Sequence, residues 1–233
     1  MGAIEDALGG PSPYRPPSRR SPEGPAADAV PGLVLASASP ARLETLRNAG
    51  LAPRVVVSEV DEDAFTAPDV TGLVAVLARA KAEAVAVALA ASGEDLLVVG
   101  CDSLLELDGE PLGKPGTPEE AVRRWRQMRG RTGHLHTGHH VIRLGASART
   151  ASGVATTGVS FADLSDAEID AYVATGEPLR VAGAFTIDGL GGAYVRGVDG
   201  DPHTVVGISL PLLRDLFAQL GVDWHTLWDA ERR

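Results

Sequence analysis

A carboxylate and a lysine stand close together in the segment VVGCDSLLELDGEPLGKP, which spans residues 98–115. The apolar run 96–99 predicts a buried strand that places Asp102 at its end. The Asp108-Gly109 pair predicts a tight hairpin, which returns Lys114 to the side of that carboxylate. A carboxylate in this place can orient a water molecule or bind a divalent metal, and a lysine can neutralise phosphate charge. The segment indicates phosphoryl chemistry, and Asp102 as a structural cap is the alternative.

A second group of polar residues follows the apolar residues that open LVLASASPAR, residues 33–42. Ser37 and Ser39 supply hydroxyl groups, and Pro40 suits the first position of a helix. Free backbone N–H groups and the helix dipole favour a phosphate at such a helix start. Arg42 lies in the first turn, where a cation opposes the dipole, and contact with an anion would account for it. Ordinary capping by Ser39, with Arg42 in solvent, explains the pattern equally well.

Two further charged positions are ambiguous on their own. The acidic residues 61–63 are typical of a solvated turn, and a metal-binding role for Glu62 is the alternative. Lys81 lies close to the apolar stripe of a predicted helix, where lysines commonly extend toward solvent. A polyphosphate bound with a divalent metal needs several fixed cations, one or two carboxylates and a base for water. The residues that match this need are Arg42, Lys81, Lys114, Glu62 and Asp102.

Two motifs that suggest other chemistry are incomplete. The segment 109–115 differs from a P-loop, because its spacing is one residue short and Pro115 stands where Ser or Thr binds magnesium. His134, His136, His139 and His140 lack a further ligand at suitable spacing. We therefore expect ordinary surface histidines here rather than a zinc site.

Strands that alternate with helices and hairpins predict an α/β fold with a mixed sheet flanked by helices. Predicted strands cover residues 33–36, 54–57, 96–99, 134–144 and 153–163. Predicted helices cover 40–50, 71–91, 118–130, 165–176 and 209–220, with a glycine-rich segment at 183–200 before the last one. Residues 1–31 hold seven prolines and little to bury. We expect a disordered leader there and one folded domain over 32–233.

The overall composition limits the function classes. A net charge of −10 argues against a broad nucleic-acid surface, which needs a basic face, but not against a nucleotide pocket with a few local cations. The single cysteine, Cys101, excludes a disulfide framework and fits a reducing compartment. No run approaches the roughly 20 apolar residues of a membrane span, and the first residues lack the pattern of a secretory signal. We expect a cytoplasmic protein that binds neither nucleic acid nor a membrane.

Six blocks of the sequence resemble, in the same order, those of the Maf family of nucleoside triphosphate pyrophosphatases. The resemblance extends over nearly all of residues 32–222. The blocks are LVLASASPARLETLRNAGL, VDED, ARAKAEAVA, VVGCDSLLELDGEPLGKP, GRTGHLHTG and AYVATGEPLRVAGAFTIDGLGGAYV. Six ordered blocks are too many for chance similarity.

The resemblance implies an enzyme with two lobes around a central cleft and, in many members, a homodimer. It implies hydrolysis of a nucleoside triphosphate to the monophosphate and pyrophosphate with a divalent cation, Mg²⁺ or Mn²⁺. Asp102 would accept the proton of the attacking water, and Glu62 and Asp102 would serve the metal. The implied triphosphate ligands are Ser37, Arg42, Lys81 and Lys114. We also expect Ser39 to contact the phosphates, because it lies at the helix start.

Three positions depart from the pattern of the family branch that acts on dTTP and UTP. Ala41, Ser103 and Asp188 stand where that branch has an arginine, a threonine and a glutamine. We expect Ser103 and Asp188 to contact substrate, but an ionised carboxylate only accepts hydrogen bonds, whereas an amide also donates them. The preferred base therefore stays open, and removal of non-canonical nucleotides and turnover of a standard pool are both compatible. The alternative from another class is a nucleotide-sensing regulator of cell division and septum formation.

Overall fold

The computed structural model describes residues 30–145 and 148–229, so that residues 1–29 of the predicted leader lie outside the described residues. The strands of the described part are β1 (Gly32–Leu35), β2 (Arg54–Val55), β3 (Leu96–Leu107), β4 (Glu110–Leu112), β5 (Thr132–Leu144), β6 (Arg149–Phe161) and β7 (Val195–Asp199). The α-helices are α1 (Pro40–Asn48), α2 (Val70–Leu89), α3 (Pro118–Met128), α4 (Asp166–Ala174), α5 (Pro202–Val206) and α6 (Leu210–Gln219).

The strands form one seven-stranded mixed sheet in the order β2-β1-β3-β5-β6-β7, with β4 also paired to β3. β1 runs parallel to both β2 and β3. The remaining pairs are antiparallel. This arrangement confirms the predicted α/β class and the mixed sheet.

Side-chain caps start the helices where the sequence predicts them. Ser39 accepts a hydrogen bond from the backbone N–H of Arg42 at the start of α1, and Pro40 is the first helical residue. Ser165 and Glu168 form a capping box at the start of α4, where the sequence predicts a helix. These caps satisfy backbone N–H groups that have no partner inside the helix.

Residues of β3 alternate between the two faces of the sheet, and the helices cover both faces. Leu96 and Val98 pack with α2 on one face. On the other face, Leu97 and Val99 join a core that α6 completes. Farther along that face, Leu105 belongs to a second core built around Trp125 and α4. The two cores confirm the predicted two-lobed arrangement, with the middle of β3 between the lobes.

The structure corrects several of the sequence-based boundaries. β6 begins at Arg149, four residues before its predicted start, because it pairs with β5 from that residue. β3 does not end beside Asp102 but extends to Leu107, twelve residues in all, because β5 pairs with it through Glu106 and Leu105 fills the second core. β2 is a two-residue strand rather than the four residues predicted. β7 and α5 occupy the region around and after the glycine-rich segment, where the sequence predicts no regular element.

Two glycines let α2 lie directly against the sheet. A Cβ atom at Gly100 of β3 would collide with the backbone oxygen of Ala78, and one at Gly138 of β5 would collide with that of Val74. Gly138 is the cross-strand partner of Asp102. The close approach of the helix backbone therefore occurs beside that carboxylate.

In the described residues, no helix is both long and apolar enough to cross a membrane.

Replacing Gly100 with alanine tests the close packing of α2. We expect Gly100→Ala to lower the free energy of unfolding by about 3 kcal/mol, because backbone atoms of α2 must move to admit the methyl group. Gly197→Ala in β7 is the control, since a Cβ there meets no atom within 4 Å. Urea unfolding of both variants measures the difference, and equal stabilities would contradict the packing.

Candidate active site

The candidate site lies at a gap along one edge of β3. β5 pairs with the other edge of β3 from Leu96 through Glu106. On the near edge, β1 pairs only with residues 96–99 and β4 only with 105–107. In the described part of the chain, no strand therefore pairs with residues 100–104 on this edge, and Asp102 is the central residue of that stretch. The chain leaves β1 toward Ser37 and leaves β4 toward Lys114, so the two flanks of the gap carry polar residues.

Lys81 connects two carboxylates at this gap. Its Nζ atom lies 2.6 Å from Oδ1 of Asp102 and 2.6 Å from Oε1 of Glu62. The side chains of Lys81 and Asp102 are 10% and 8% exposed, whereas that of Glu62 is 51% exposed. Lys81 does not extend to solvent as lysines near an apolar stripe commonly do. It is the buried cation of a three-residue cluster.

The surroundings shift the pKa values of the two carboxyl groups in opposite directions. Burial raises the pKa of Asp102 above its ordinary value, and the charge and hydrogen bond of Lys81 offset this only in part. Burial also acts on Glu62, but the hydrogen bond and charge of Lys81 outweigh it and hold the pKa of Glu62 below its ordinary value. The charges of Lys114 and Arg42 add to this lowering. Glu62 therefore stays ionised, while Asp102 holds a proton more readily than an ordinary aspartate.

Arg42 approaches the gap from α1 with its guanidinium held by three acceptors. Nη1 donates to Oγ of Ser37 at 3.1 Å, and Nη2 donates to Oγ of Ser103 at 2.9 Å. Nε donates to the carbonyl oxygen of Gly207 at 2.7 Å. Ser39 caps α1, and its backbone N–H donates to Ser37 at 3.2 Å. The predicted cap by Ser39 is present, and Arg42 bonds to protein acceptors instead of extending into solvent. Contact of Arg42 with an anion stays a prediction.

Lys114 follows β4 at the other flank of the gap. The preceding carbonyl, that of Gly113, accepts hydrogen bonds from the backbone N–H of Gly183 and from Arg124. Arg124 is itself paired with Glu120. After Lys114, the backbone N–H of Gly116 donates to the carbonyl of Leu179. The chain on both sides of Lys114 is therefore attached to the second lobe, while its side chain remains exposed.

Asp188 has no described contact with the other candidate residues. It is exposed in a bend between two short 3-10 turns, Ala182–Ala184 and Leu190–Tyr194. The neighbouring Glu177 accepts hydrogen bonds from the hydroxyls of Tyr172 and Thr186 and from two backbone N–H groups of that loop. Although burial raises the pKa of Glu177, these donors lower it to about 2. Glu177 fixes the shape of the loop, and a substrate-binding role for Asp188 stays a prediction.

The expectation of ordinary surface histidines in β5 is wrong for three of the four. His136, His139 and His140 are buried, and only His134 is exposed. Burial lowers the pKa of His139 to about 4, so this ring is neutral near pH 7. Its Nδ1 atom faces the carbonyl of Thr137, and its Nε2 atom accepts the backbone N–H of Ser209 at the start of α6. The long β5 strand, packed on both faces, buries these rings.

Comparison with known proteins agrees with the sequence resemblance. A family model described as Maf-like protein matches residues 32–220. The chain belongs to the Maf family. The match contains the gap in β3 and all of its flanking residues, so the geometry described above is that of a Maf domain.

Similar Maf relatives carry the name nucleoside triphosphate pyrophosphatase. The protein of Saccharopolyspora erythraea is 57% identical over 204 residues, which cover 84% of this chain and 96% of that protein. The protein of Streptomyces coelicolor is 56% identical over 196 residues, which cover 84% and 94%. That of Cutibacterium acnes is 50% identical over 204 residues, which cover 86% and 96%. The chain thus spans nearly the whole length of these relatives.

The carboxylates of this Maf domain fit a divalent cation that is shared with a substrate. Oxygens of Glu62 and Asp102 both lie within 2.6 Å of one Lys81 nitrogen, so they are close enough to serve one site. Among the described residues, no group of three or more His, Cys, Asp or Glu side chains is arranged to hold a metal ion. Mg²⁺ commonly binds through one or two carboxylates together with substrate phosphates and water. The donor set fits that pattern.

Sequence reasoning missed the polar residues that support Arg42. Thr137 is fully buried and faces Ser103, and Gly207 supplies the carbonyl that holds Nε of Arg42. The sequence signal for such a partner was the threonine inside the predicted strand segment HLHTGHH, residues 134–140. Because hydroxyl residues are common in strands, that signal does not by itself identify a partner.

Replacing Lys81 with methionine tests its role as the buried countercharge. We expect Lys81→Met to lower the free energy of unfolding at pH 7.5 by about 3 kcal/mol, because Asp102 is left buried without a partner. The loss shrinks as pH falls, since the folded variant then gains stability by taking up a proton on a carboxyl whose pKa lies above its unfolded value.

Arg79→Met on the same helix is the control for this substitution. Arg79 forms an exposed pair with Glu83, and losing such a pair costs at most about 1 kcal/mol. Urea unfolding across pH 5 to 8 measures the stability of both variants. An equal loss in Lys81→Met and Arg79→Met at every pH would contradict the role of Lys81 as the buried countercharge.

Proposed function

We propose that this chain hydrolyses a nucleoside triphosphate to the monophosphate and pyrophosphate, with Asp102 accepting the proton of the attacking water. The observation that carries the proposal is the buried Asp102, ion-paired with Lys81 in the gap of β3, between a serine-arginine flank and a lysine flank. The name shared by the curated Maf relatives supports the same reaction.

The triphosphate would bind across the gap. Arg42 uses three of its five N–H groups on acceptors of the described chain, which leaves donors for phosphate oxygens. Oγ of Ser37 accepts two hydrogen bonds, and its own hydrogen has no acceptor among the described residues. Lys114 adds a positive charge from the opposite flank. Fixed donors on two sides of the gap would bind the phosphates and neutralise part of their charge.

Asp102 suits the role of base for a physical reason. Its Oδ1 accepts from Lys81, whereas Oδ2 has no hydrogen-bond partner in the described part of the chain. The raised pKa makes this carboxylate a stronger proton acceptor than an exposed aspartate. Lys81 holds the carboxylate in place, so that Oδ2 would face the water.

A divalent cation, Mg²⁺ or Mn²⁺, completes the proposal. When bound, such a cation neutralises phosphate charge and makes water more acidic. Glu62 and Asp102 would hold it, and the low pKa of Glu62 keeps one ligand ionised. Lys81 contacts both carboxylates and so keeps them adjacent, although no third acidic residue takes part.

The nucleobase is the part of the proposal that the site leaves open. Ala41, Ser103 and Asp188 differ from the dTTP and UTP pattern, so removal of non-canonical nucleotides is the role we propose to examine first. A panel of standard and modified triphosphates, assayed for pyrophosphate with Mg²⁺ and with Mn²⁺, identifies the preferred base. The curated relatives are named for the hydrolytic reaction, and no described feature favours the regulator of cell division instead.

Asp102→Asn tests the proposed base. We expect kcat for pyrophosphate release to fall by about 10³-fold, because an amide cannot take up the proton. Circular dichroism should show an unchanged fold, since asparagine keeps the shape of the side chain. Asp170→Asn, at an exposed position of α4, should retain full activity. Orthophosphate as the first product of the wild-type enzyme, or full activity of Asp102→Asn, would refute the proposal.

The pH dependence of catalysis follows from the shifted pKa of Asp102. The base must be ionised, so kcat/KM should fall on the acidic side with an apparent pKa above the ordinary aspartate value of 3.8. Initial rates with Mg²⁺ supplied only as its complex with the triphosphate measure this acidic decline, because kcat/KM then reports the metal-free enzyme. Return of each sample to pH 7.5 checks that the enzyme has stayed stable. A profile that stays flat down to the ordinary aspartate range would show that the base is a different group.

A further inference from the structure

A row of hydroxyl groups connects Arg42 to α5 on the face of the sheet between the two cores. Nη2 of Arg42 lies 2.9 Å from Oγ of Ser103, which lies 2.9 Å from Oγ1 of Thr137. Oγ1 of Thr137 in turn lies 2.9 Å from the carbonyl oxygen of Thr204 in α5. Thr137 has no exposed surface, and Cys101 and Leu105 on either side of Ser103 belong to the two apolar cores.

The hydrogen bonds of this row have one direction. The carbonyl of Thr204 only accepts, so the hydroxyl hydrogen of Thr137 is donated to it. Oγ1 of Thr137 must then accept from Ser103, which uses the single hydrogen of Ser103. Oγ of Ser103 is left to accept from Arg42, whose guanidinium only donates. Each hydroxyl therefore has one orientation, which the buried carbonyl at the far end determines.

The end of α5 also holds Arg42 directly. Gly207 follows α5 with a φ of +114°, and its carbonyl accepts from Nε of Arg42 at 2.7 Å. A Cβ atom at Gly207 would lie 3.1 Å from Nε of Arg42 and 3.4 Å from Oγ of Ser103. The guanidinium thus has two connections to α5, one direct and one through the hydroxyl row. Together with the bond from Nη1 to Ser37, these connections engage all three nitrogens of the guanidinium and fix the orientation of its plane.

We propose that Thr137 is a positioning residue that acts through Ser103 to hold the guanidinium of Arg42 in the orientation that binds the substrate's phosphates. The inference rests on the proposed function, in which Arg42 is a triphosphate ligand. Thr137 is too deeply buried to touch substrate itself. A guanidinium that is already oriented loses less conformational entropy when it binds an anion. Loss of the Thr137 hydroxyl would leave Ser103 without its acceptor and free to turn away from Arg42.

Thr157 provides a matched control within the same fold. It is equally buried, lies on the adjacent strand β6, and donates its hydroxyl at 2.9 Å to the carbonyl of Asp201, the residue that caps α5. No described contact joins it to Ser103 or Arg42. Thr137→Val and Thr157→Val therefore each remove one buried hydrogen bond to the α5 segment, but only the first interrupts the row to Arg42.

The test compares Thr137→Val, Thr137→Ser and Thr157→Val with the wild type. Pyrophosphate release gives kcat and KM, and inorganic tripolyphosphate, which lacks a base, gives an inhibition constant for the phosphates alone. We expect Thr137→Val to raise both KM and the inhibition constant about tenfold with kcat changed less than about twofold, because it weakens ground-state and transition-state binding alike. Thr137→Ser keeps the hydroxyl and should therefore show wild-type values of KM and of the inhibition constant. Thr157→Val should also leave both constants unchanged.

Three results would overturn the inference: wild-type constants in Thr137→Val, no rescue by serine, or an equal rise in Thr157→Val, which would point to displacement of α5. Failure of the proposed function is a separate outcome, in which the wild type releases no pyrophosphate from any triphosphate. Calorimetric titration of the same variants with tripolyphosphate then decides the role of Thr137. Equal affinity of Thr137→Val and wild type in that titration would refute it.

Discussion

The candidate site depends on one buried ammonium group that faces two carboxylates. Removing a charge from water costs several kcal/mol unless a partner of opposite sign lies close by, so Lys81 and Asp102 each require the other. Lys81 and Asp102 are both far more buried than Glu62, whose side chain is half exposed. The pKa values of the two carboxyl groups consequently move apart, one upward and one downward. This separation assigns different tasks to the two acids, because one takes up a proton readily and the other stays charged.

The fold satisfies this constraint through the way strands and helices meet around β3. α2 lies directly on Gly100 and Gly138, which brings Lys81 within reach of Asp102. β1 and β4 pair with separate parts of one edge and leave the middle of β3 unpaired in the described chain. Arg42 reaches the same place from the opposite face of the sheet, held by α5. A site with cations on both faces and a carboxylate at its centre is the consequence.

The sequence predicted local features well, because a cap or a hairpin needs only neighbouring residues. Ser39, Ser165 and the turn before β4 behave as their local patterns indicate. It could not predict the pairing of Lys81 with Asp102, since that depends on how closely a helix packs on a sheet 21 residues farther along the chain. The buried histidines and the full length of β3 were missed for the same reason. Burial of His139 and extension of the strand past Asp102 both come from tertiary packing that a polar segment does not reveal.

Titration of Asp102 itself measures the coupling between this carboxyl group and Lys81. Carbon-13 NMR of carboxyl-labelled protein, with the resonance assigned by its absence in Asp102→Asn, gives the pKa in the wild type and in Lys81→Met. We expect a pKa above the ordinary value of 3.8 in the wild type and a still higher one without Lys81. A wild-type pKa at or below the ordinary value, or one that Lys81→Met leaves unchanged, would show that burial and Lys81 do not control this carboxyl group.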